Sequence, residues 1–334
     1  MDNFDIYYKT TLPIHGQWPP ENKWDLFVSA FTSAQRVQVV FDKVKAGSKH
    51  WLVLPEYGYE LKEMPEKAFH MPDIGNEALY ISMFWDKLIN VTGKTICIDA
   101  TGFLRPYLVF LLGWLMAKGV RLFDIIYSEP THYVEGEKTT FSGPVVTEVR
   151  QIAGFEGVHS TDSTNDLLII NAGYEDNLVS QVAEYKNNCK KVLLLGFPSL
   201  RADMYQENIH NTKLAEEAVG RQAIEGGSIL APANDPFVTA SVLKRFVDDY
   251  VSRKPITNLY LCPLATKPQL IGCTLYYLTE LANGPASIIF PFASSYSKAT
   301  GVGISRIWKF TVELPSASKN IFTTGHFWEL AGRP

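Results

Sequence analysis

Short apolar runs alternate along this chain with polar or glycine-bearing turns and with stretches whose apolar residues recur at helical spacing. Trp24–Ala30 reads as a strand. Ser33–Lys45 then carries Val37, Val40, Phe41 and Val44 at helical intervals, with Gly47 as its stop. Trp51–Leu54 reads as the next strand, and residues 55–74, rich in Pro, Glu and Lys, as a surface excursion. A helix is predicted over Glu77–Ile89, a strand over Lys94–Ile98, a helix over Leu104–Lys118 and a strand over Leu122–Tyr127. The run Tyr107–Ala117 is apolar apart from Gly113, which predicts a helix buried on most faces. It is too short for a bilayer span, which needs about 20 residues.

The pattern continues with a strand at Leu167–Asn171, a helix over Glu175–Asn187 and a strand at Lys191–Leu195. Ser228–Ala231, Asn258–Cys262 and Ala286–Phe290 read as further strands, joined by helices over Pro236–Ser252 and Lys267–Leu281. Arg306–Leu314 alternates less regularly and predicts an edge strand. Continuously apolar strands alternating with helices imply βαβ crossovers. The fold class is therefore α/β, with mostly parallel Rossmann-like sheets, helices on both faces and two abutting portions. The expected division is an N-terminal portion over 1–135, a linker or hairpin over 136–165, and a C-terminal portion over 166–334. The strand–turn–helix design recurs without an obvious sequence repeat.

Composition narrows the class of partner. The chain has 334 residues, of which 46% are hydrophobic, 20% charged and 13% aromatic. That excludes a disordered or collagenous protein. Lys and Arg number 31 against 35 Asp and Glu, a net charge of −4. The absence of a broad basic field argues against duplex DNA and leaves room for a local pocket for a small anion. Cys97, Cys189, Cys262 and Cys273 form no CxxC pair, and three lie in strongly apolar stretches; buried reduced thiols in a cytoplasmic protein are expected. The start, MDNFDIYYKTT, has neither a basic segment nor an apolar signal core, so no membrane association is expected. Scattered histidines give no metal-ligand spacing, and the sequence leaves the cofactor open.

In doubly wound sheets, ligands bind beyond the carboxyl ends of the strands. That rule selects the turn Asp99-Ala100-Thr101-Gly102, followed by Arg105 in the first turn of a helix. Helix N–H groups at Thr101 and Gly102, with the Arg105 guanidinium, suit an anion; alternatively, Asp99 or Thr101 simply caps the helix. The second selected turn runs into Thr266 and Lys267, a hydroxyl and an ammonium at a helix start. There too the alternative is a Thr266 cap beside a solvated lysine. Asn234 and Asp235 precede Pro236, so they either cap a helix or touch a ligand. Glu129 and Glu175 stand past strand ends, where they could act as acid or base or bind ribose hydroxyls. Tyr296–Gly303 is a polar loop able to close as a lid. GxGxxG, GxxxxGK[ST] and GxSxG are all absent.

The stretch Leu261–Gly272, with Thr266 and Lys267 following a strand and a small-residue turn, resembles the ligand loop of CARF-type Rossmann-like domains. Asp99–Arg105 is similar to the ligand loop after an earlier strand of such domains. Ala265 stands where that family usually has Gly. The resemblance implies a sensor of cyclic oligonucleotides in an anti-phage defence system, with its effector on another protein. The opening WDLFVSAF through WLVLPEY is also similar to the start of TIR domains. For an NADase that resemblance implies a glutamate in a later helix, where Glu77 falls. The leading expectation is a nucleotide-binding sensor or regulatory protein that holds a small anionic ligand. The alternatives are a nucleotide- or NAD-processing enzyme using Glu129 or Glu175, and a structural subunit of a larger complex.

Overall fold

The apolar runs become parallel strands because each can bury both of its faces. In β2, for example, Leu26, Phe27, Val28 and Ala30 are all sealed from solvent. The structure, a computed structural model, describes residues 8–72, 76–88, 91, 93–133, 140–143, 145–202, 204–221, 223 and 228–314. The chain runs β1 (Tyr8–Leu12), β2 (Lys23–Ala30), α1 (Gln35–Lys43), β3 (Lys45–Val53), β4 (Phe69–His70), α2 (Glu77–Leu88) and β5 (Ile96–Asp99). It continues through α3 (Arg105–Ala117), β6 (Leu122–Glu129), β7 (His132–Tyr133), β8 (Val146–Gln151), β9 (Leu167–Asn171), α4 (Asp176–Tyr185) and β10 (Lys190–Gly196). Then come α5 (Met204–Leu214), α6 (Glu216–Val219), β11 (Ile229–Ala231), α7 (Pro236–Arg253), β12 (Leu259–Pro263), α8 (Lys267–Tyr276), β13 (Ala286–Ala293), β14 (Gly301–Val302) and β15 (Arg306–Glu313).

Two compact units result. One contains the described residues of 8–143 and 295–314, the other those of 145–294. In the first unit the sheet order is β1-β15-β6-β5-β2-β3-β4. Strands β4, β3, β2, β5 and β6 are mutually parallel, β15 lies antiparallel on β6, and β1 antiparallel on β15. In the second unit the order is β11-β10-β9-β12-β13-β8, parallel except for β8. Numbered within each unit by order of appearance, the parallel strands read 3-2-1-4-5 both times, and an antiparallel strand follows the fifth. The Rossmann-like arrangement is built twice. Its topological switch lies between β2 and β5 in the first unit and between β9 and β12 in the second.

The α/β class holds, and several boundaries move. Helix α1 ends at Lys43 because Val44 is already extended, so Gly47 lies inside β3 rather than stopping a helix. Helix α3 is sealed from Pro106 to Met116, as its all-round apolar sequence requires. Residues 145–165, within the stretch expected to be a linker or hairpin, belong to the second unit and include the edge strand β8. Arg306–Glu313 is not an edge strand. It sits between β6 and β1 in the first sheet, where β1 covers the side that would otherwise be open. The chain thus returns to its first unit after completing the second. Residues 55–72, expected to be a surface excursion, include a short helical turn at Pro55–Tyr57 with Tyr57 buried. All four cysteines are free and buried. Among the described residues, no helix is long and apolar enough to cross a membrane.

Candidate functional site

At the carboxyl edge of the first sheet, the loops after β2, β3, β5 and β6 meet. The β5 loop is held by its own polar residues. Asp99, fully buried, accepts from Thr101 N at 3.0 Å through Oδ1 and from Ser29 Oγ at 3.0 Å through Oδ2. Thr101 Oγ1 accepts from Ser128 N at 3.0 Å, which ties this loop to the end of β6. Neither residue caps α3, whose N-cap is Leu104 and has no side-chain cap. Gly102 brings its backbone against β2: a Cβ there would lie 2.0 Å from Ala30 O. Only glycine permits that approach. The Gly102 carbonyl accepts from Tyr57 OH at 2.9 Å, which joins the β3 loop to the same point.

Two guanidinium groups belong to this edge. Arg36, in the first turn of α1, donates through Nη1 to Ser128 O at 2.8 Å. Its Nε is buried with no protein partner. Helix α1 starts at Ala34, again without a side-chain cap. Arg105 opens α3 and lies 5.6 Å from the centroid of the Phe141 ring. Both cations act on the half-buried Tyr133, whose phenol desolvation pushes up and whose ionised form they favour. Glu129, nearly fully buried at 3% exposure, accepts from Trp308 Nε1 at 2.6 Å. The indole on β15 thereby orients the carboxylate at the end of β6.

Glu56, in the turn after β3, accepts from Tyr107 OH at 2.7 Å through Oε1, while Oε2 is buried without a partner. Burial pushes its carboxyl up, the Tyr107 hydrogen bond opposes that, and the nearby Glu77 carboxylate adds to the rise. Burial pushes the Asp99 carboxyl up as well, against its hydrogen bonds to Thr101 and Ser29 and the attraction of Arg36. The Ser128 hydroxyl, at 0% exposure, also has no partner. Arg36 Nε, Glu56 Oε2 and Ser128 Oγ are thus three buried polar atoms left unsatisfied at one edge of one sheet. Of the nine buried side-chain atoms without a partner among the described residues, these three lie at this edge, where a ligand or ordered water could satisfy them.

The loop expected to act as a lid lies over this same edge. Tyr296 N donates to Glu56 O at 3.2 Å, Ser297 N donates to Phe141 O at 2.9 Å, and β14 pairs with β7. Lys298 reaches Glu63 at 3.3 Å and stands over the Tyr59 ring. Its backbone is therefore strapped to the unit at several points.

The other sequence candidates lie on the second unit. Thr266 caps α8, accepting from Gln269 N at 3.4 Å, and its hydroxyl donates to Ala233 O. Asp235 caps α7, accepting from Phe237 N and Val238 N at 3.1 Å each. Here the capping alternative describes both residues. Lys267 begins α8, and Asn234 precedes the Asp235 cap; both are half-buried. Glu175 stands before α4 without capping it. At the switch between β9 and β12, Gly173 takes the close approach: a Cβ there would lie 2.8 Å from Leu264 O and 3.2 Å from the Ala265 Cα. Gln269, wholly buried, donates to Ala231 O at 3.2 Å.

The structure gathers Thr101, Gly102, Arg105 and Glu129 on one edge. It adds Arg36, Glu56, Tyr107 and Ser128, which were not singled out from the sequence. The strand-end rule would have found Arg36 and Glu56 had it been applied to the turns after β2 and β3. Ser128 stands at the strand end beside Glu129 and carries the same positional signal, whereas Tyr107 carries none, because only the fold turns it toward the site. Among known proteins, no family model matches this chain and no curated sequence matches it.

Proposed function

We propose that this chain binds a small anionic ligand, a nucleotide, at the carboxyl edge of its first sheet. The observation that carries this reading is the cluster of unsatisfied buried polar atoms, Arg36 Nε, Ser128 Oγ and Glu56 Oε2. The twin topology offers an internal comparison. In the second unit, α8, which follows the fourth parallel strand, has a side-chain cap from Thr266, whereas α4, which follows the first, has none. In the first unit, α1 is uncapped like its counterpart α4, and α3, the counterpart of α8, has Leu104 at its N-cap, which leaves its first N–H groups and positive end without a side-chain cap. Arg36 and Arg105 add two fixed charges beside them.

Several acids share the edge, which would seem to repel an anion. Burial favours the neutral forms of Glu56 and Asp99, which lessens their repulsion of an anion. A neutral Glu56 is also a hydrogen-bond donor, suited to a ring nitrogen, carbonyl or sugar oxygen rather than to phosphate alone. A nucleotide offers both kinds of group. In this reading the chain is a sensor or regulatory subunit whose effector resides on another protein. Anti-phage defence is the setting suggested by the CARF-like loops. A nucleotide-processing enzyme is the second reading, favoured by the raised carboxyl of Glu56.

The test is a thermal-shift screen of the full chain against mono-, di-, cyclic oligo- and pyridine nucleotides. A ligand at about 100 times its dissociation constant adds about 2.7 kcal/mol, which is visible as a shifted midpoint. The shift should vanish in an Arg36→Ala, Arg105→Ala double variant that retains its fold. A shift that survives in that variant, or none with any nucleotide, overturns the reading. Mass spectrometry of the incubated mixture separates sensor from enzyme: intact ligand for the first, turnover for the second.

A further inference from the structure

The second unit contains a chamber that the nucleotide reading does not use. Strands β10 and β11 form its floor through Leu193, Leu195 and Leu230, and Tyr205 and Ile209 of α5 form its wall. Its volume is about 570 Å³, within the range of small-molecule sites. Leu230 remains 42% exposed on the edge strand, so the chamber opens to solvent.

Helix α5 is unusual in which residues it buries. Asn208, Asn211 and Thr212 face inward together with Met204. Asn211 Nδ2 donates to Tyr174 O at 2.9 Å, the Thr212 hydroxyl donates to Asn208 O at 2.7 Å, and Tyr174 OH donates to Glu207 at 2.6 Å. These bonds fix the rotation of the helix. Its apolar pair at i, i+4, Tyr205 and Ile209, then lines the chamber instead of filling the core. The ring of Tyr205 lies 4.8 Å from that of Phe197, which extends the apolar wall. At the rim, Glu216 is engaged by Arg221 at 3.5 Å. Lys213 lines the rim as well and has no carboxylate within ion-pair distance among the described residues. Among the described residues the rim carries Lys213 and a Glu216 already engaged by Arg221, so apolar walls meet one uncommitted cation, which suits a ligand with an apolar body and one negative head group.

We propose that this chamber is a binding site for a small amphipathic organic anion, whose apolar body lies between Tyr205, Leu230 and Ile209 and whose acidic head meets Lys213. None of these residues belongs to the site on the first unit, so the two proposals stand or fall separately.

The experiment uses the full chain and two fluorescent probes, anilinonaphthalene sulfonate and its neutral analogue N-phenylnaphthylamine. Both should bind saturably at one site. Leu230→Trp and Ser228→Trp, each placing an indole in the chamber, should abolish binding of both probes while circular dichroism remains that of the wild type; either variant suffices if the other fails to fold. Lys213→Glu should weaken the sulfonate about tenfold and leave the neutral probe unchanged. Absence of saturable binding, or binding that persists in the folded tryptophan variants, overturns the site. Equal responses of the two probes to Lys213→Glu overturn the assignment of an anionic head.

Discussion

Tyr107, in the first turn of α3, donates its phenolic hydrogen to Glu56 Oε1 at 2.7 Å and so holds a buried carboxyl at the edge of the first sheet. The folded protein favours the protonated form of that carboxyl, chiefly because it is buried. The sign of the pH effect follows. A carboxyl raised on folding contributes stability that is full below its ordinary pKa and is lost as pH rises through its folded value. In Glu56→Gln the group no longer titrates, and the amide oxygen still accepts from Tyr107. Its thermal midpoint relative to wild type should therefore rise as pH climbs above the ordinary carboxylate range and level off once Glu56 is ionised in the folded protein, as read by calorimetry. A difference independent of pH would show that Glu56 is ionised at an ordinary pKa.

Gly102 is the point at which the β5 loop crosses onto β2. With Ala30 O only 2.0 Å from an added Cβ, Gly102→Ala must displace backbone. A loss of about 3 kcal/mol is expected in denaturant unfolding, at the upper end for overpacking. The shift should also separate Tyr57 from the Gly102 carbonyl and weaken ligand binding at that edge.

Ser128 gives the converse case. Its hydroxyl is buried without a partner, and the backbone N–H of Ser128 holds Thr101 without it. Ser128→Ala should therefore leave the stability of the free protein within about 1 kcal/mol of wild type, while lowering affinity for the ligand of the first unit. Equal loss of stability and affinity would assign the hydroxyl to the fold alone.

The second unit should respond differently. Asp235→Ala and Thr266→Ala each remove a helix cap, at a cost of about 1 kcal/mol. Neither should change nucleotide affinity, measured by titration calorimetry, because both side chains serve their own helices. A selective loss of binding in Thr266→Ala would return the site to the loop that resembles the CARF type.

Local pattern set much of this architecture. Runs such as Leu167–Asn171 and Leu259–Pro263 can only be strands covered on both faces, and the all-apolar α3 can only be a buried helix. Parallel strands alternating with helices follow, together with the rule that ligands lie past the strand ends. Helix α5 was not legible, because it buries asparagine and threonine and so lacks an apolar stripe.

Hydrophobic periodicity, turn residues and composition thus determined the α/β class, the buried cysteines and a set of strand-end turns that includes Thr101, Gly102, Arg105 and Glu129. They act over a few residues, so a single sequence displays them. Only the tertiary structure decided that β15 returns to the first sheet, that the same strand order is built twice, and that Thr266 and Asp235 are absorbed as caps. It alone brought Arg36, Glu56 and Ser128 to one edge from separate strand ends. Those relationships depend on which strands pair and which loops then meet, and that pairing is a property of the packed whole, settled by burial over long sequence separations.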